Sequence, residues 1–249
     1  MAALASLVLV VGGPAPAAGQ SARVLLPDLD QALPRKVRVV ADESRLLLTF
    51  SSRVANRGRG PLIVTGRRPS SGAPMSVRQT IGLANGASRS PRVRAELRYV
   101  TDRTHSHWHL LAFMRYAVRS TTGEPLGLSD RKTGFCFGDG YRVSPRKPLL
   151  GEPRRRVFRG CRRNQPRTLR VRMGLSVGFG DSYSPLREGQ YVDISTLPTG
   201  RYLLVHTANP DRALAESDCA NNSASVLFAL ARDADTARIR VLARCADTP

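Results

Sequence analysis

Thr104-His105-Ser106-His107-Trp108-His109 runs without a break into the apolar segment Leu110 to Val118, which carries Phe113 and Tyr116. The whole stretch reads as one long β-strand. Alternate side chains of a strand share a face, so His105, His107 and His109 point one way and Ser106 and Trp108 the other. Three of the chain's four histidines stand here, and imidazoles gathered in this way suit a transition metal. Geometry sets a condition. The outer two Cα atoms of a flat strand lie about 13 Å apart, and an imidazole reaches about 6 Å to a metal bound at roughly 2.0 Å. The three ligands converge only if the strand twists, bulges or bends, and Asp102-Arg103-Thr104 offers a loop in which it could bend. Trp108, on the opposite face, is expected to pack in the core.

Outward from this segment the chain is punctuated by Gly, Pro, Asn and Ser at short intervals. Before it, Val37 to Val40, Arg45 to Val54, Leu62 to Thr65, Ser76 to Ile81 and Val93 to Val100 read as strands. Asn56-Arg57-Gly58-Arg59-Gly60-Pro61 is a strong turn signal and predicts a hairpin between the second and third of these. After it come Thr133 to Phe137, Thr168 to Met173, Tyr191 to Ile194, Tyr202 to His206, Ser223 to Leu230 and Ala237 to Val241. Gly138 to Pro166 reads as a long irregular loop, and loops of this length usually serve a function. Gly174 to Tyr183 is dense in glycine, and Ala213-Leu214-Ala215-Glu216 is the best helical turn available. Many short strands without a long amphipathic helix predict an all-β sandwich with long irregular loops and little helix.

Residues Ala2 to Val11 are almost wholly apolar and lead to Ala15-Pro16-Ala17-Ala18, a small-residue cleavage pattern. This predicts a signal peptide over 1–18, then a single domain over 19–249, exported without a transmembrane anchor because the apolar run is too short to span a bilayer. Four cysteines suit an oxidising compartment, with Cys136 expected to pair with Cys161 and Cys219 with Cys245. The 39 Lys and Arg against 19 Asp and Glu leave a formal net charge of +20. Arg154-Arg155-Arg156, Arg159 and Arg162-Arg163 concentrate that charge in the long loop and predict nonspecific affinity for anionic cell-wall polymers or other polyanions. Sparse aromatics and the lack of a recognition motif argue against a dedicated nucleic-acid role.

The histidines alone leave the metal open among Zn²⁺ acting on water, Cu²⁺ in oxidation and Fe²⁺. Further blocks follow in order: Lys132-Thr133-Gly134-Phe135-Cys136, Gly174-Leu175-Ser176, Asp181-Ser182-Tyr183, Val192-Asp193-Ile194-Ser195, and the closing Gly200-Arg201-Tyr202, Asn209-Pro210, Glu216-Ser217-Asp218 and Asn221-Asn222. With the histidine run, these resemble the lysyl oxidase family in its secreted, bacterial form, over roughly residues 45 to 231. The resemblance implies copper held by His105, His107 and His109. It also implies a lysine tyrosylquinone cofactor built from Lys132 and Tyr183, for which Lys132 should be buried and its amine neutral. The implied reaction is oxidative deamination of a primary amine, either peptidyl-lysine or a small alkylamine, with O₂ as acceptor. Its products are an aldehyde, ammonia and hydrogen peroxide. Where animal members of the family have a further histidine, this chain has Arg115, so a catalytic base falls to Asp181, Asp193 or Glu188. His206 is expected to be a hydrogen-bonded strand residue rather than a fourth ligand, and Asn221-Asn222 to satisfy turn backbone.

Two other classes of function remain compatible with the histidine cluster. One is a zinc-dependent hydrolase with a metal-bound water; the other is a nonenzymatic, immunoglobulin-like surface module with a structural metal. Neither accounts for Lys132 and Tyr183.

Overall fold

The structure, a computed structural model, describes residues 22–101, 106–128, 131–185, 189–233 and 236–245. The expected leader, His105 and Glu188 lie outside those ranges, as do the side chains of Arg131, Lys132 and Cys245. In chain order the strands are β1 (Val24–Leu25), β2 (Leu29–Gln31), β3 (Arg35–Asp42), β4 (Arg45–Asn56), β5 (Leu62–Arg67), β6 (Ser76–Gln79), β7 (Ile81–Leu83) and β8 (Ser88–Arg89). There follow β9 (Leu97–Thr101), β10 (Ser106–Arg119), β11 (Arg131–Phe135), β12 (Tyr141–Arg142) and β13 (Arg170–Leu175). The chain finishes with β14 (Phe179–Tyr183), β15 (Tyr191–Asp193), β16 (Gly200–Ala208), β17 (Ser223–Arg232) and β18 (Ala237–Cys245). Among the described residues there is no helix, and the all-β class expected from the sequence is the class found.

Two larger antiparallel sheets carry the core. In one the order is β11-β10-β16-β17-β18, with β9 also on β10; in the other β12-β14-β4-β15, with β2 and β3 also on β4. Phe50 of β4 meets Tyr116 of β10 edge to face, with centroids 4.8 Å apart, and Tyr183 of β14 stacks on Phe135 of β11 at 3.9 Å. These contacts join the inner faces of a sandwich. A smaller sheet, β13-β5-β6, adds Leu62, Val64, Val171 and Met173 to the same apolar core.

The expected β4–β5 hairpin does not form: β5 pairs with β13 and β6, while β4 pairs with β14, β15, β2 and β3. The reason lies in the connection. Buried Asn56 accepts from the Gly58 N–H and donates to the Gly60 and Leu175 carbonyls, while the Gly60 N–H bonds to the Leu26 carbonyl. The turn is thereby pinned to other segments, and the chain crosses into a different sheet. A β-carbon on Gly60 would fall 2.6 Å from the Leu25 carbonyl carbon, so only glycine allows so close a backbone approach.

Ala213 to Glu216 is not helical. The Asn209 amide takes both the N–H and the C=O of Leu214, and Glu216 accepts from Asn209, Asn222 and the Leu29 N–H. Those backbone groups are therefore not available to a helix ladder. Asn221 likewise donates to Asp28, so the Asn221-Asn222 pair ties segments together through carboxylates instead of satisfying its own turn. The glycine-dense stretch hides a strand, β14, entered through Gly178 at φ 75°.

Candidate active site

His107 and His109 lie on β10 where it pairs regularly with β9, opposite Val100 and Arg98. Both are buried, and their Nε2 atoms stand 2.9 Å apart with ring centroids at 4.7 Å. Two nitrogens bound to one ion at roughly 2.0 Å stand roughly 3 Å apart, so the pair fits a shared metal. Among the described residues no group of three His, Cys, Asp or Glu surrounds such a point, and His105 lies outside them. The described irregularity of β10 falls beyond the histidines: the register against β11 shifts between Leu110 and Met114, with Ala112 at φ 54°. The segment where a bend was expected, Asp102 to Thr104, lies outside the described residues.

β11 supplies the rest of the setting. A β-carbon built on Gly134 would lie 3.0 Å from His109 Cβ and 3.3 Å from His109 Nδ1, so the absent side chain is the space the imidazole uses. Two residues on, the Cys136 N–H donates to the Tyr183 hydroxyl at 3.0 Å. The histidine pair and the Tyr183 hydroxyl thus flank neighbouring residues at the end of one strand. The backbone register places Lys132 opposite Arg115, four residues back from Cys136. That is roughly 13 Å of extended chain from the Cys136 amide that donates to the Tyr183 hydroxyl, and the Lys132 side chain lies outside what the structure describes. Arg115 itself pairs with Asp211 at 3.1 Å.

Three carboxylates were expected to compete for the role of base. Asp193 accepts from the Ser195 N–H and hydroxyl, bonds that hold its pKa low and assign it to a turn. Glu188 lies outside the described residues. Asp181, on the same face of β14 as Tyr183, lines an open pocket of about 460 Å³ with Cys136 and Asp139, and Arg156 and Arg159 form part of its wall. Its Oδ2 accepts the Gly138 N–H. Asp139, which the sequence reading passed over, is buried and accepts from Val157 N–H, Phe158 N–H and both the N–H and hydroxyl of Ser176. It knots the long loop to the end of β13; a buried acid in a loop full of glycine and arginine was the available signal.

The Cys136–Cys161 disulfide is present and ties that loop to β11. Cys219 is instead a free thiol. The reason is placement: Cys245 pairs in register with Ser225 at the end of β18, whereas Cys219 turns toward Glu216, and partial burial with that neighbouring carboxylate raises its pKa. Trp108 packs as expected, buried against Tyr99, with its indole N–H on the Gln165 carbonyl and the Arg68 guanidinium over its ring. His206 is fully buried between Phe50 and Tyr116, and neither ring nitrogen has a hydrogen-bond partner among the described residues. The strand position was anticipated and the hydrogen bond is absent, because aromatic rings occupy the space where a partner would stand. Burial lowers its pKa to about 3.

Fold and site together define an antiparallel β-sandwich in which a pair of converging histidines and a buried tyrosine meet beside one strand end. The family model for lysyl oxidase matches residues 78–239, well over half of the chain, and the chain belongs to the lysyl oxidase family. Membership implies amine oxidase activity. No individual curated protein matches the chain. The matched span leaves out β1 to β5, yet β4 is hydrogen-bonded to β14 and β15 within the same sheet.

Proposed function

We propose that this protein is a secreted, copper-dependent amine oxidase that derives a lysine tyrosylquinone from Lys132 and Tyr183. It converts R–CH₂–NH₂, O₂ and water into an aldehyde, ammonia and hydrogen peroxide. The observation that carries the reading is the convergence of His107 and His109 Nε2 at 2.9 Å, within two residues along β11 of the backbone group that holds the Tyr183 hydroxyl. His105, from the segment preceding β10, completes the ligand set. Bound copper and the quinone supply O₂ reduction and an electrophilic carbonyl for the amine.

The chain's own groups do the remaining work. His107 and His109 are buried, and a metal would bind them as neutral imidazoles. Asp181 faces the adjoining pocket, where its carboxylate pairs with the substrate ammonium; once the ammonium proton has passed to solvent, the carboxylate takes the proton from the carbon beside the amine during oxidation. Phe135 stacks on the Tyr183 ring and keeps water from one of its faces. The Cys136–Cys161 disulfide is in keeping with the extracellular setting of the family.

The test is to express the mature chain with copper and record its visible spectrum alongside peroxide release from butylamine. A quinone absorbance that disappears in Lys132→Ala and Tyr183→Phe, with amine-dependent peroxide in the wild type only, is expected. An unchanged chromophore in Lys132→Ala, or zinc occupancy accompanied by ester hydrolysis, overturns the reading.

A further inference from the structure

Beside the pocket that holds Asp181 runs a second, larger hollow of about 660 Å³, lined by Arg159, Arg162, Arg163, Gln165, Arg170 and Arg172. All six side chains are exposed, and none of the five arginines is in an ion pair among the described residues. Five guanidinium groups without an ion pair among the described residues line one concavity and create a strong local positive potential. Arg170 and Arg172 are alternate outward residues of β13, the edge strand of its sheet, so their Cα atoms stand roughly 7 Å apart. That is the spacing of alternate side chains on an extended peptide.

The opposite wall is fastened to the metal-binding strand. Cys161 is bridged to Cys136, its carbonyl accepts the Trp108 N–H at 2.9 Å, and the Asn164 N–H donates to the Ser106 carbonyl at 2.9 Å. The loop thus bonds to β10 at the two residues that alternate with His107. Arg159 and Gly160 line both hollows, so the arginine groove adjoins the pocket that contains Asp181 and Cys136.

We propose that this groove binds an acidic polypeptide segment in extended form and so selects, as substrate, lysine side chains flanked by aspartate or glutamate. The inference rests on the amine oxidase reading for its substrate and on the groove alone for its binding. It accounts for how a chain of net charge +20 takes up a cationic amine: the carboxylates beside the lysine offset the repulsion and guanidinium groups hold them in pairs. The groove lining has no aromatic side chain on which bases could stack, which disfavours single-stranded nucleic acid. Its concavity suits a chain over a flat bilayer.

The experiment uses a fluorescein-labelled peptide alternating Asp and Ala, with norleucine at its centre, and the same peptide with Asn for Asp. Anisotropy is followed on the full chain with and without copper. The lysine versions of both peptides and butylamine are assayed for peroxide release. The Asp peptide is expected to bind about tenfold or more tightly than the Asn peptide at low salt, and the Asp lysine peptide to show a correspondingly lower KM. Both preferences should vanish in Arg170→Gln/Arg172→Gln and in Arg162→Gln/Arg163→Gln, with butylamine turnover unchanged. Equal binding of Asp and Asn peptides, or a preference that survives both variants, overturns the proposal. So does tight binding of polyphosphate or single-stranded DNA without binding of the Asp peptide. Selective binding without any peroxide release keeps the groove and removes the amine oxidase reading; peroxide release without selectivity does the reverse.

Discussion

At Gly134 a missing β-carbon is what lets the His109 imidazole stand beside β11. Gly134→Ala would place a methyl 3.0 Å from both His109 Cβ and Leu111 Cδ2, tighter than ordinary contact, so the His109 side chain is expected to shift relative to His107. Loss of copper affinity of about tenfold to a hundredfold is expected, the range seen when the orientation of a ligand is disturbed. It is measured by competition with a chelator, with the melting temperature of the metal-free protein as control. The histidines themselves were legible in the sequence because alternation on a strand is a local property. Gly134 stood in plain sight within the Lys132 to Cys136 block, but its role depends on which strand lies alongside, and pairing across the sheet is not written in the residues of one strand. Lys132 and Tyr183 were legible only as members of a recurring pattern of blocks.

The element that most differs from a plain strand or turn is the loop between β11 and β13. The sequence showed its length, its arginines and the bridge that closes it. Its attachment through Asp139, Cys161 and Asn164 became visible only when β10 and β13 were in place, since each contact spans elements distant in sequence. Closing 25 residues by Cys136–Cys161 contributes about 3.5 kcal/mol on the chain-entropy account. Cys161→Ser should therefore lower the unfolding free energy by about that amount in denaturant titrations. It should also release the arginine wall from β10, which protection of the Trp108 and Asn164 amides against hydrogen exchange will report. The failed β4–β5 hairpin teaches the same lesson at this scale. A turn signal states that the chain reverses, and the Asn56 side chain and Gly60 decide into which sheet it returns.

Across the whole molecule, stability is tied to pH through the centre of the sandwich. His206 has a folded pKa of about 3 against an unfolded value of roughly 6.5. Between these the unfolded chain binds a proton that the folded chain refuses, so the folded state loses up to about 1.4 kcal/mol per pH unit as pH falls through that window. Above pH 6.5 the contribution is complete and flat. Urea unfolding of the metal-free protein from pH 7 to pH 4 should show this acid slope, and His206→Leu should unfold with a shallower one, the difference between the two isolating the histidine from the other titrating groups. The all-β class was readable from punctuation and alternation. Two buried ring nitrogens left without partners were not, because a sequence does not say which aromatic rings will close around a histidine.

The sandwich is open at its margins, and β18 is the last strand of its sheet. Unpaired N–H and C=O groups along such a margin are a template on which a second copy could lengthen the sheet. Arg238, Arg240 and Arg244 stand exposed along β18, so an antiparallel copy laid against it would set guanidinium against guanidinium at close range. Charge guards this margin, and that guard weakens as ionic strength rises and the screening length shrinks toward roughly 3 Å at 1 M salt. The same surplus of arginine from which anion binding is inferred also sets copies of this protein against one another, and concentrated salt would relax both effects at once.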